Sequence, residues 1–180
     1  MDRNWICCLL WVVLGSGLAS GQAASVQPPC SDPAYHQFDF WIGSWDVTQG
    51  GKPAGTNTIT SELAGCALFE SWLSANGRTA GRSINYYDAD RKSWHQTWID
   101  NSGQPLTLEG TFAQGKMVLR GQRPLPNGKG LLQHRITWTP LASGEVRQLW
   151  ESSTDNGKSW SVQFDGLYRK RGMPPATRPM

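Results

Sequence analysis

The run Arg91–Asp100, RKSWHQTWID, puts Trp94, Gln96 and Trp98 on one parity and Ser93, His95 and Thr97 on the other. Side chains of a strand alternate between its two faces. The run therefore predicts a β-strand with two indoles and one amide on its inner face and His95 outside. The same period recurs further on. Leu132, His134, Ile136 and Trp138 share a face in LLQHRITWT, as do Val146, Gln148 and Trp150 in EVRQLWES, and Trp160, Val162 and Phe164 in SWSVQFDGLY. Between such runs stand QGGKPAG, SANGR, DADRK, DNSGQP, AQGK, PLPNGKG, LASG and TDNGKS. Gly and Asn supply positive φ, and Pro and Asp start turns. Turns spaced by roughly ten residues predict a meander of hairpins in an all-β domain.

About ten strands follow, near 45–49, 55–63, 66–74, 79–87, 92–100, 105–112, 116–122, 130–139, 145–153 and 158–170. Only PPCSDPAYHQFDFW, at the front, has room for a helical turn. An antiparallel meander of this length must hide its edges, and closure into a barrel removes them. A two-sheet sandwich is the rival, but no long crossover segment interrupts the order. The dipeptide Ser-Trp occurs four times, which reflects similar strands rather than a duplication.

The N-terminus has a different character. Arg3 precedes the apolar run WICCLLWVVLGSGLA, and Gly21 and Ala23 suit a small-x-small cleavage site. Residues 1–24 are expected to be a removed signal peptide, 25–43 a lead-in segment, 44–171 the barrel and 172–180 a disordered tail. The apolar run is shorter than the ~20 residues of a membrane span, so no stable span is expected. Export to the periplasm or the exterior is. Formal net charge is +3 with no basic run, which gives a nucleic-acid partner no patch to read. Cys7 and Cys8 fall in the signal, leaving Cys30 and Cys66 as an even pair expected to be bridged in an oxidising compartment. Two isolated cysteines and three scattered histidines lack zinc-like spacing, so no metal is expected.

The stretch FDFWIGSWDV, residues 38–47, holds Gly43-Ser44-Trp45 at the start of the first strand. It resembles the Gly-x-Trp signature of the calycins, which include lipocalins and fatty-acid-binding proteins. The resemblance implies a barrel whose Trp45 plugs one end, with a basic residue of the last strand over the indole. In DGLYRKR that residue would be Arg169 or Arg171. The longer pattern, with GTNTIT, NYYD, WHQTWID and RQLWESSTDNGKSW, is similar to an uncharacterised family of bacterial exported β-barrels and implies no activity. A looser resemblance, to the nitrobindins, would bring haem. Their motif continues Gly-x-Trp-x-Gly-x-Gly, whereas here Asp46-Val47-Thr48 follows Trp45. No cofactor is expected.

Eight tryptophans remain beyond the signal and call for a large core or an aromatic-lined cavity. The inner faces predict a pocket walled by Trp98, Trp138 and Trp150, with Gln96, His134 and Gln148 as its polar contacts. An amide or imidazole among indoles needs a hydrogen-bond partner. For His134 the plainer alternative is a core residue bonded to Gln148. Glu70, Asp100 and Glu151 lie near aromatic runs and are expected to be solvated at strand ends. Ser71, Ser152 and Ser153 have no nucleophile-elbow context, and TDNGKSW reads as a turn rather than a calcium loop. The expected function is binding of a small, largely apolar or aromatic molecule. The alternative is an isomerase, cyclase or hydrolase, which a deep pocket with a strongly shifted carboxylate or histidine would favour.

Overall fold

The computed structural model describes residues 27–125 and 128–172. The signal expected at 1–24 and residues 173–180 of the expected tail lie outside the described residues. Ten antiparallel strands form a closed barrel in meander order, with β1 pairing both β2 and β10. They are β1 Gly43–Gln49, β2 Lys52–Glu62, β3 Ala67–Ser74, β4 Ala80–Asp88 and β5 Ser93–Asp100. β6 Leu106–Ala113, β7 Lys116–Pro124, β8 Leu131–Pro140, β9 Val146–Ser153 and β10 Ser161–Lys170 complete it. The front of the chain forms two short 3-10 turns, Pro33–His36 and Asp39–Trp41. Among the described residues, no helix is long and apolar enough to cross a membrane.

Alternation sorts the faces as the sequence predicts, except at the start of β10. There the pairing with β9 slips between Val162 and Phe164. The extra residue of a bulge inverts parity beyond it. Val162 pairs with the outward Glu151 and is 58% exposed, and Trp160 lies on the outer wall under the Arg135 guanidinium, 4.2 Å from its ring centroid. Of the three side chains expected to share an inner face, only Phe164 turns inward.

One end of the barrel is sealed by aromatic packing. Phe38 stacks on Trp41 at 4.9 Å and meets Trp138 and Trp94 edge-on. Trp41 also packs against Trp138, and Trp45 against Tyr168. The buried Trp45 indole donates from Nε1 to the Trp41 carbonyl at 2.9 Å. The tryptophan-rich opening is thus a plug delivered by the lead-in segment. A Cys30–Cys66 disulfide, with Cα atoms 5.1 Å apart, anchors that segment just ahead of β3.

The cation over Trp45 is neither predicted arginine. It is Lys170, whose Nζ lies 5.5 Å from the ring centroid. Register explains the correction: Trp45 pairs directly with Lys170, so the flanking arginines point outward. Arg169 binds Glu145 and Arg171 binds Asp46.

Two measurements follow. Protein beginning at residue 27, denatured without reductant, is expected to show no free thiol. With a sequence separation of 36, reduction is expected to lower stability in urea by roughly 3–4 kcal/mol; two free thiols would refute the bridge. Lys170→Ala is expected to cost about 0.5–1 kcal/mol and to alter the near-UV circular dichroism of Trp45. Arg169→Ala should leave that signal alone.

Candidate functional site

At the end opposite the plug, the barrel encloses a cavity of about 200 Å³. Its walls are Trp72 on β3, Trp98 on β5, Trp150 on β9 and Phe164 on β10. Three of these rings rest against glycines. A Cβ at Gly81 would stand 2.2 Å from the Trp98 ring, one at Gly55 2.7 Å from Trp72, and one at Gly166 2.3 Å from Phe164. A larger residue would displace each ring, and at Gly55 it would also meet the Leu73 carbonyl oxygen at 2.4 Å. Glycine here serves close approach rather than turn formation.

Deeper in, the lining becomes polar: Glu70, Gln96, Gln148 and Tyr168. Glu70 sits in mid-strand and is only 6% exposed. Its Oε1 accepts from Asn57 Nδ2 and its Oε2 from Ser83 Oγ, each at 2.6 Å. Cross-strand register brings these together, since Glu70 stands opposite Ile59 on β2 and Ser83 on β4. Asn85 donates to Ser83 Oγ at 2.9 Å, and Gln96 Nε2 donates to Asn85 Oδ1 at 2.8 Å. The Tyr168 hydroxyl donates to Gln148 Oε1 and receives a long contact of 3.5 Å from Asn57 Nδ2. Desolvation raises the Glu70 pKa from 4.5 to about 7, although its two hydrogen bonds pull the other way. Burial, and secondarily the charge of Glu70, push the Tyr168 phenol well above its ordinary value.

The six predicted contacts separate into two groups. Gln96, Trp98, Gln148 and Trp150 all line the cavity. Trp138 does not: it is fully buried in the plug against Phe38 and Trp41. His134 is tied to the wall through Trp150, whose Nε1 donates to His134 Nδ1 at 3.1 Å. It does not meet Gln148. Opposite His134 on β9 is Ser152, whereas Gln148 stands opposite Trp138. Four register steps, roughly 13 Å of strand, separate them. Burial first, and then the charge of Arg123, lower the His134 pKa to about 4, and the ring is neutral at physiological pH.

The largest correction is Glu70, expected to be solvated at a strand end but buried in the middle of β3. Its neighbour Trp72 shares its parity, and Leu68, Glu70 and Trp72 continue the inward period of β3. The run FESW was therefore sufficient to bring the carboxylate inside. Asn57, Ser83 and Tyr168 share the same readable inward period on β2, β4 and β10. What the sequence does not carry is the cross-strand register that joins them. On the outer wall, Ser93 Oγ lies 3.0 Å from His95 Nε2, and Glu109 4.0 Å from His95 Nδ1. Tyr86 stacks over this group, and it lines no part of the interior cavity. Asp155, in the TDNGKSW turn, takes hydrogen bonds from the Ser153 and Ser159 hydroxyls. Among the described residues, no group of three or more His, Cys, Asp or Glu is placed to hold a metal ion. No protein-family model matches the chain, and no curated protein matches it.

Stability should report the Glu70 environment. Between about pH 4.5 and 7 the folded chain holds a proton that the unfolded chain has released. The contribution of the group is full below about 4.5 and falls away as pH rises through about 7. Relative to Glu70→Gln, wild-type protein is expected to lose on the order of 3 kcal/mol across that window. Urea unfolding of both proteins at a series of pH values checks it; parallel curves would contradict it.

Proposed function

We propose that this is an exported, calycin-like barrel that binds a small, largely apolar molecule in its open end. The observation that carries the reading is the cavity itself, with three indoles and a phenyl ring around a short polar floor. That combination of apolar wall and few polar groups is typical of ligand sites. Size limits the ligand. A cavity of ~150 Å³ accepts benzene, so about 200 Å³ suits one ring with a short arm. The Gln148 amide nitrogen has no protein partner among the described residues and is free to donate to such a molecule. The disulfide supports an oxidising compartment.

Haem does not fit these residues. A ligating histidine must offer one ring nitrogen bare while the other carries the proton. His134 accepts at Nδ1 from Trp150, which places its proton on Nε2, the atom left buried without a partner. The cavity is also too narrow for a macrocycle.

A second reading, an acid–base enzyme of the isomerase, cyclase or hydrolase kind, is supported by one observation. Glu70 combines a place on the cavity wall with a pKa of about 7, suited to moving protons at neutral pH. Turnover that disappears in Glu70→Gln while binding survives would favour it.

Phenylethanol, a neutral one-ring probe, is expected to change the tryptophan fluorescence, with Trp150→Phe reducing the response. Gln148→Ala is expected to weaken its binding by about 1 kcal/mol, roughly fivefold. An unchanged spectrum with this and other small aromatics would sink the binding reading, provided native mass spectrometry of host-purified protein also finds no retained molecule.

A further inference from the structure

Resting on the binding reading above, the charge pattern of the cavity narrows the ligand. We propose that the site takes a small organic cation, an amine or ammonium on an apolar body, whose charge is met by the Glu70 carboxylate among the indoles of Trp72, Trp98 and Trp150. The lining contains two carboxylates, Glu70 and Asp100, and no basic side chain. The two differ in their surroundings. Asp100 is held ionised chiefly by the Ser102 hydroxyl, and the charge of Arg123 acts on it as well. Glu70 has only neutral donors, Asn57 and Ser83. A carboxylate desolvated without a counter-charge is the costly half of an ion pair. A cation entering the cavity would complete it.

The walls favour the same charge. Indole faces attract cations through their quadrupole, and more strongly once water is excluded. Gln96 points to the same conclusion, because its amide nitrogen is committed to Asn85 and Ser83. Its carbonyl oxygen has no protein donor among the described residues and can accept from an ammonium. An anionic ligand would meet Glu70 with like charge.

The groups facing Glu70 are Asn57 on β2, Ser83 on β4 and Tyr168 on β10. Of these only Tyr168 titrates, and burial keeps its proton on. Elsewhere in the interior, His134 on β8 is neutral, Asp100 stays ionised beside Arg123 on β7, and Lys170 lies over Trp45 at the far end. Glu70 is therefore the group whose ionisation ligand binding should drive. At neutral pH it is about half protonated, so a cation should expel that fraction of a proton on binding.

The test compares phenylethylamine, phenylethanol and phenylpropionate, which share one ring and a two-carbon arm and differ in charge. Calorimetry on the whole barrel is expected to rank the amine about tenfold or more above the alcohol, with the carboxylate weakest. The amine should bind more tightly at about pH 8 than at about pH 6, and the alcohol equally at both. Near pH 7, titration in two buffers of different ionisation heat is expected to show about half a proton released. Glu70→Gln, which removes the charge at almost unchanged size, should erase the preference for the amine. Equal affinity for all three probes, a preference for the carboxylate, or amine binding without proton release overturns the cation assignment while leaving the binding reading in place. If none of the three binds, this proposal falls, and the binding reading falls with it once other small aromatics and native mass spectrometry of host-purified protein are negative as well. The proton-release measurement uses wild-type protein, so it decides the matter even if Glu70→Gln fails to fold.

Discussion

The hydrogen bond from Trp45 to the carbonyl of Trp41 is the constraint on which the closed end of the barrel depends. A buried indole N–H with no acceptor is costly, and at this depth the strands use their carbonyls on one another. The acceptor comes instead from a 3-10 turn ahead of the first strand. Docking of the lead-in segment satisfies Trp45, while the N–H groups of Trp41 and Trp138 in the same cluster are buried without a protein partner among the described residues. Once docked, the segment brings Phe38 and Trp41 into the same cluster, with Trp94 and Trp138 packed around them. The disulfide lies where such docking needs help, since it holds a segment that makes no strand pairing of its own.

Closing one end divides the interior unequally. Near the plug, packing is dense and aromatic, with Trp41, Trp45, Trp94, Trp138, Phe38 and Met117 almost wholly buried. Toward the other end, Asn57, Glu70, Ser83, Asn85 and Gln96 form one connected hydrogen-bonded patch on β2 to β5. Tyr168 and Gln148 face it from β10 and β9. A network of this kind stabilises little in net terms, because most of its bonds replace bonds to water. Its effect is to hold polar atoms at defined positions beside an apolar chamber. The proton affinity of Glu70 is a result of that placement.

The strands and their closure were legible because the period of two and the turn residues agree at nearly every step from Trp45 onward. That agreement fails at the bulge near Gln163, where one extra residue leaves no mark in composition. Trp160 and Val162 were sent to the wrong face for that reason. A cation of the last strand over Trp45 was implied by the calycin resemblance, but the partner within Arg169-Lys170-Arg171 is a matter of register, which three consecutive cations cannot reveal. Alternation also placed Gln96, Trp98, Gln148 and Trp150 correctly on the inner face. It gives no depth along the barrel axis, so Trp138, of the right parity, was assigned to the chamber although it belongs to the plug. Glu70 was missed through a general expectation about carboxylates that its own strand contradicts.

Seating rings on glycines ties pairs of positions together, two of them across neighbouring strands and one within β10. Gly81 and Trp98 act as one unit, as do Gly55 with Trp72 and Gly166 with Phe164. Adding a methyl group at the glycine alone collides with the ring, and trimming the ring alone opens a void over bare backbone. Making both changes together relieves the collision at Gly81, whereas a Cβ at Gly55 would still meet the Leu73 carbonyl oxygen at 2.4 Å. Their energetic effects should therefore be strongly non-additive, as for any residues in direct contact. The width of the chamber at Trp98 is thus set by two residues jointly, and changing it through either one alone passes through a less stable protein.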